Sequence, residues 1–447
     1  MTTTTTAPPE ARPATAPGRI TEWRPEDPAF WATTGKRVAR RNLAFSIFAE
    51  HVGFSVWSLW SVLVLFLTPA YGFSTDPKHA AAEKFLLTTL PTALGAALRL
   101  PYTFAVARFG GRNWTVVSAL LLLVPTLAAA AVLRPGVSYG TLLLVAVLAG
   151  VGGGNFASSM ANINSFYPQR LKGVALGLNA GGGNVGVAAV QLVGLAVLAT
   201  AGKDHPRVLL GIYIPLVVLA ALLAARFMDN LPDLRNDRRA MRDAAREPHT
   251  WVMSLLYVGT FGSFIGFGFA FGQVLQSQFA SHFLTGGRVD PVKIAYLTFL
   301  GPLVGSLVRP VGGWLADRVG GAVTTFWNFL GMALCAVLVY SASLAGSLGL
   351  FFVGFIALFV LSGVGNGSTY KMIPAIFGAE ARRTVNAVLG IAGAVGAAGG
   401  VLVNVAFRQS FLATGTGDRA YLAFLAYYVV CAAVTWAVYL RRRPAGV

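Results

Sequence analysis

Apolar positions along this chain do not alternate with polar ones, and they do not mark a single helical face. They run on continuously for about 20 residues at a time, long enough for a helix to cross roughly 30 Å of hydrocarbon. The pattern predicts twelve spans, at 42–67, 86–108, 113–133, 139–163, 171–199, 207–228, 249–274, 292–317, 322–343, 348–377, 383–410 and 419–440. Continuous runs exclude a membrane β-barrel, whose strands alternate. The expected fold class is an all-α membrane protein, twelve transmembrane helices in two pseudo-symmetric six-helix bundles.

Polar stretches divide the chain. Residues 1–40 open with MTTTTTAPPEARPATAPGR, a Thr/Pro/Ala-rich tail expected to be disordered. It has no compact apolar core and does not read as a signal peptide. Residues 41–228 form a first six-span half, and 249–441 a second. Between them, 229–248 reads DNLPDLRNDRRAMRDAAREP, a polar linker, and 442–447 is a short tail.

Composition agrees with this reading. The chain of 447 residues is 55% hydrophobic and 12% charged, about half the charge of a soluble protein. Its 35 Lys and Arg against 17 Asp and Glu could suggest a nucleic-acid partner, so their distribution matters. Most fall in the tail, the linker and the loops of one side, including Lys36-Arg37, Arg40-Arg41 and Arg441-Arg442-Arg443. That bias sets topology, with both termini cytoplasmic in the cell (inner) membrane, and leaves no patch for nucleic acid. Cys335 and Cys431 both lie in spans, and the five histidines show no ligand spacing. No disulfide framework, metal site, cofactor or enzyme constellation is expected.

An internal repeat stands out. Arg99 precedes Arg108 and Gly110-Gly111 at the spacing with which Arg309 precedes Arg318 and Gly320-Gly321. GGGNFASSM, with Asn155, recurs as GVGNGSTYKM, with Asn366, and LGLNAGGGNVG recurs as LGIAGAVGAAGG, all at nearly one offset. Such duplication is expected of a transporter with parallel halves and a midplane site. An arginine at mid-span costs several kcal/mol unless it meets a partner or a cavity. Glu50 is the one acid well inside a span, too little for Arg99, Arg309 and Lys371 together. An intramembrane ion pair is the plainer alternative; two symmetry-related arginines point instead to a cavity that attracts a small anion. The planar guanidinium fork suits planar oxyanions.

Glycine, 51 of 447 residues, concentrates in spans four, five, ten and eleven. Close helix packing explains it, and so does a small site lined by backbone. Asn184, in GGGNVG, is a candidate amide donor to an anion or a packing asparagine. Phe156, Tyr257 and Phe261 are candidate cavity walls, although such aromatics more often pack a core.

These residues carry a resemblance. GGGNFASSMANINSFYP with LKGVALGLNAGGGNVGV, the second-half counterparts GVGNGSTYKMIPAIF and LGIAGAVGAAGG, the two arginine segments, ATTGKRVARRNL and WVMSLLYVGTFGSFIGFGFAFG together resemble the nitrate/nitrite porter family of the major facilitator superfamily, over about 29–441. The resemblance implies the major facilitator fold and carriage of nitrate and nitrite by a monomer in membrane lipid. It implies that Arg99 and Arg309 clamp the anion, Asn184 donates to it, Phe156, Tyr257 and Phe261 enclose it, and Gly390 and Gly393 line span eleven. Members of the family carry a serine at the position of Gly393, and Ala180 replaces a signature glycine. Rocking of two halves, each supplying an arginine, predicts nitrate/nitrite exchange, since an empty dicationic site resists closure. Glu50, His51 and Lys371 leave proton symport open; Glu50 and Lys371 could equally form a structural ion pair. A porter for another small oxyanion or a carboxylate is a further alternative.

Overall fold

The computed structural model describes residues 20–232, 238–377 and 382–441. Expectations for 1–19, 233–237 and 442–447 lie outside the described residues. Among the described residues there are twelve long helices and one short linker helix. The first half comprises α1 (Pro28–Phe66), α2 (Pro77–Phe109), α3 (Gly111–Val132), α4 (Tyr139–Phe166), α5 (Gln169–Thr200) and α6 (Pro206–Phe227). After α7 (Arg238–Arg246), the second half comprises α8 (Pro248–Gln278), α9 (Pro291–Val319), α10 (Gly321–Leu344), α11 (Leu348–Phe377), α12 (Arg382–Thr414) and α13 (Asp418–Leu440). A two-stranded hairpin, Leu284–Thr285 with Arg288–Val289, caps the α8–α9 connection.

Eleven of the long helices are apolar enough to cross a membrane by length and composition. The exception, α2, has 33 residues and reaches about 50 Å. Its hydropathy is diluted by Lys78, His79, Glu83, Lys84, Arg99 and Arg108, all carried on this one helix.

Two polar segments are more ordered than expected. Residues 28–40, read as part of a disordered tail, are the first turns of α1. Asp27 caps them by accepting from the Ala29 and Phe30 amides, and Trp31 is buried edge-on to Tyr167 at 5.6 Å. Arg41 and Asn42 then grip Asp229 at 2.6 and 2.7 Å, tying the base of α1 to the start of the linker. Within the linker, α7 buries Ala240 and Ala244 and packs on α12, with Arg239 turned outward.

The repeat is structural as well. Gly110 ends α2 at φ 85° and Gly320 ends α9 at φ 95°, a region where a Cβ would be strained. Each amide closes its helix on the fourth residue back, Val106 and Ala316 respectively.

The halves meet mainly on the side away from the chain ends, the far side. Thr88 donates to Asn404 Oδ1 at 3.0 Å, Gln191 to the Gly268 carbonyl at 2.7 Å and Gln273 to the Ala81 carbonyl at 2.5 Å. Phe85 stacks on Phe407 at 5.5 Å, and Trp57 meets Phe269 edge-on at 5.4 Å. Toward the tail side, a Cβ on Gly393 would meet nothing within 4 Å. The halves are latched on the far side, and Gly393 borders open space.

Candidate functional site

Arg99 is 1% exposed, at the core of α2. Its guanidinium lies 4.5 Å from the Phe156 ring centroid, 4.8 Å from Phe261 and 5.6 Å from Trp57. Such a box holds a desolvated cation through the ring quadrupoles, worth up to about 2 kcal/mol per contact. Trp57 is fixed in turn by its indole N–H, which donates to the Pro91 carbonyl at 2.8 Å. One Arg99 nitrogen donates to the Gly393 carbonyl across the halves at 2.9 Å, while Nε and Nη2 are buried without partners.

Arg309, 6% exposed on α9, is the counterpart. It donates to the Tyr257 hydroxyl at 3.1 Å and keeps Nη1 unpartnered. Tyr257 stacks on Phe261 at 5.2 Å and 7°, and meets Tyr370 at 5.3 Å. A π turn over Val258–Gly262 separates α8 into two segments just here, a distortion frequent at functional sites. The Phe261–Tyr257 stack thereby connects the Arg99 box to the Arg309 contact. The two arginines are close enough to interact electrostatically.

The other expected residues divide. Phe156, Tyr257 and Phe261 join the cluster. Asn184 is 1% exposed with both amide atoms unpartnered, one residue beyond Gly183, where an added Cβ would lie 2.6 Å from Glu50 Cδ. Gly393 contributes its carbonyl. Gly390 instead faces Met241 of the linker helix, 3.8 Å from where its Cβ would be. Glu50 is buried, accepts from Asn179 at 2.7 Å and feels the charge of both arginines. His51 turns its ring toward the Gly182 carbonyl at 3.3 Å.

Lys371 needs correction. It is not paired with Glu50. It is half-exposed and bonds Asp317 at 2.7 Å, joining α11 to the end of α9. Replacing it by methionine should leave anion transport within about twofold of the parent and stability within about 0.5 kcal/mol, as for exposed ion pairs generally. Counterflow and thermal unfolding of Lys371→Met test this.

Sequence reasoning missed Trp57, Tyr370 and the buried set Ser46, Ser159 and Asn179 around Glu50. Ser159 bonds Ser46 at 2.8 Å and accepts from Asn179 at 2.6 Å. Tyr370 was the neighbour of a residue singled out for its charge, but an aromatic ring in an apolar span carries no sequence mark of its own.

Residues 43–403 match the family model described as Major Facilitator Superfamily. The chain is 38% identical to "Nitrate/nitrite transporter NarU" of Salmonella typhimurium, covering 95% of this chain and 97% of that protein. It is 36% identical to "Probable nitrate/nitrite antiporter NarK2" of Thermus thermophilus, with the same coverage of each. Among solved structures, the xylose transporter XylE from E. coli shares the fold at a TM-score of 0.69 with 12% identity, over 90% of this chain and 98% of that one. A bacterial homolog of the lysosomal transporter Spinster does so at 0.66 and 17%, over 92% and 100%. Helix order, duplicated arginine helices and these likenesses agree: the chain is a multi-pass membrane transporter, not an enzyme, and belongs to the nitrate/nitrite porter family of the Major Facilitator Superfamily.

Proposed function

We propose that this protein carries nitrate and nitrite across the cell membrane by alternating access, exchanging one for the other. The observation that carries this reading is the pair of buried arginines, one from each half, each with N–H donors that the protein leaves unused. A small planar oxyanion accepts in-plane bonds from such forks. It also fits among aromatic walls where a bulkier anion would clash. With the tail side cytoplasmic, the far-side seam is the outer gate and the carrier faces inward. The working unit is one chain.

The charge count supports exchange. Two guanidinium groups face the centre against a single carboxyl, so the empty site keeps a net positive charge. A bound anion lowers that charge, and closure of a desolvated site costs less the smaller the charge it encloses. The loaded carrier then crosses readily and the empty one slowly.

The test is counterflow in proteoliposomes loaded with nitrite and given labelled nitrate outside. Uptake that requires internal nitrite supports exchange. Absence of nitrate uptake by folded protein, with or without a pH gradient, would sink the substrate assignment. A second reading, proton symport, is favoured by the burial of Glu50 in the field of both arginines. It expects uptake into empty vesicles driven by an inward proton gradient, and loss of that drive in Glu50→Gln. Gradient-driven uptake that survives Glu50→Gln removes this residue from the coupling step.

A further inference from the structure

Above the central site, the outer seam contains a pocket of about 280 Å³. Lys78 and Lys84 of α2 line it from the first half. Gln276, Ser277, Phe411 and Gly415 line it from the second, and no carboxylate does. Lys84 is drawn under the seam. It spends one N–H on Gln276 Oε1 at 3.2 Å and lies 5.9 Å from the Phe73 ring centroid. The neighbouring acid, Glu83, turns the other way and accepts from the Ser74 amide at 2.8 Å. Lys78 stands at the mouth, exposed, with its stem against Gly415. Two lysines thus line one small space whose other polar lining residues, Gln276 and Ser277, are neutral.

We propose that this pocket is a second anion site, which takes a small monovalent anion from the outer solution while the gate is shut. Lysine binds anions as a point charge and lacks the planar fork of arginine. The site therefore accepts chloride as well as nitrate and nitrite. Its walls come from both halves, so it exists only in the closed-gate state. A ligand that binds one state alone stabilises that state. External anion accordingly holds the outer gate closed and slows its reopening, whichever anion the central site carries.

The test uses reconstituted full-length protein with Ser277→Cys, with Cys335→Ser and Cys431→Ala to remove native thiols. Arg99→Lys is added to disable the central site. A thiol reagent that does not cross the membrane is supplied from outside, with nitrate, nitrite or chloride titrated in place of gluconate. At an anion concentration about four times its dissociation constant, one fifth of the pockets remain free, so modification should slow about fivefold. Lys84→Gln should abolish the protection, Lys78→Gln should weaken it, and Lys84→Arg should retain it. Because Lys78 is exposed, its variant cannot fail merely by misfolding. Protection that is equal with gluconate, or that persists unchanged in both glutamine variants, would overturn the proposal. Slow modification set by anionic lipid in the vesicles and indifferent to free anion would assign the lysines to a headgroup and also overturn it.

Discussion

Arg99→Lys is expected to cut nitrate counterflow about 100-fold while the protein still folds, reconstitutes and migrates as the parent. The charge is kept, so the loss measures geometry. Lysine cannot donate in plane to the anion and to the Gly393 carbonyl together, and its compact, strongly hydrated ammonium fits poorly between Phe156 and Phe261. Loss of a charge-assisted bond is worth about 1.5–3 kcal/mol, and the upper figure is about two decades of affinity. The measurement is the nitrate concentration dependence of counterflow. An unchanged half-saturation and rate would show that Arg99 is a structural cation held by its aromatic box.

A second pair of variants should separate two glycines on the same turn of α12. Gly396→Ala pushes a methyl into the Tyr257 ring. That ring is fully buried, stacked on Phe261 and against Tyr370, so it cannot swing aside. Overpacking of this kind costs about 1–3 kcal/mol, and it would be felt at Arg309 through the Tyr257 hydroxyl. Transport should fall at least tenfold, and Arg309 should lose the hydroxyl acceptor that orients it. Gly393→Ser, by contrast, enters open space beside the carbonyl that holds Arg99. It should fold normally and tighten half-saturation for nitrate a fewfold by adding a hydroxyl near the anion, about 1 kcal/mol. If Gly396→Ala transports normally, the Tyr257 position is softer than its packing implies.

Much of this molecule could be read in advance because lipid imposes a coarse code. Continuous apolar runs marked every long helix. A cation in such a run is costly enough to be conspicuous, which is how Arg99 and Arg309 were found. What failed to show was depth and direction. Lys371 lies within an apolar run, but hydropathy does not say how near the surface a residue of a 30-residue helix sits, and its partner Asp317 comes from another helix. Residues 28–40 looked like tail because helices extend beyond the hydrocarbon, where polar side chains are natural. The Glu50 set was hidden because Ser46, Ser159 and Asn179 come from three helices, and no spacing brings them together. Trp57 and Tyr370 are indistinguishable in sequence from rings that face lipid.

The outer seam has a practical consequence for anyone measuring this carrier. Its latches at Thr88–Asn404, Gln191–Gly268 and Gln273–Ala81 are uncharged amide and hydroxyl bonds, flanked by stacked phenylalanines. Mobile ions weaken attraction between charges and have little hold on neutral contacts. These latches should therefore respond little to screening by salt. A titration with chloride then becomes a selective instrument: any change in closure of the gate reports on the anion held at Lys84 and not on the neutral latches.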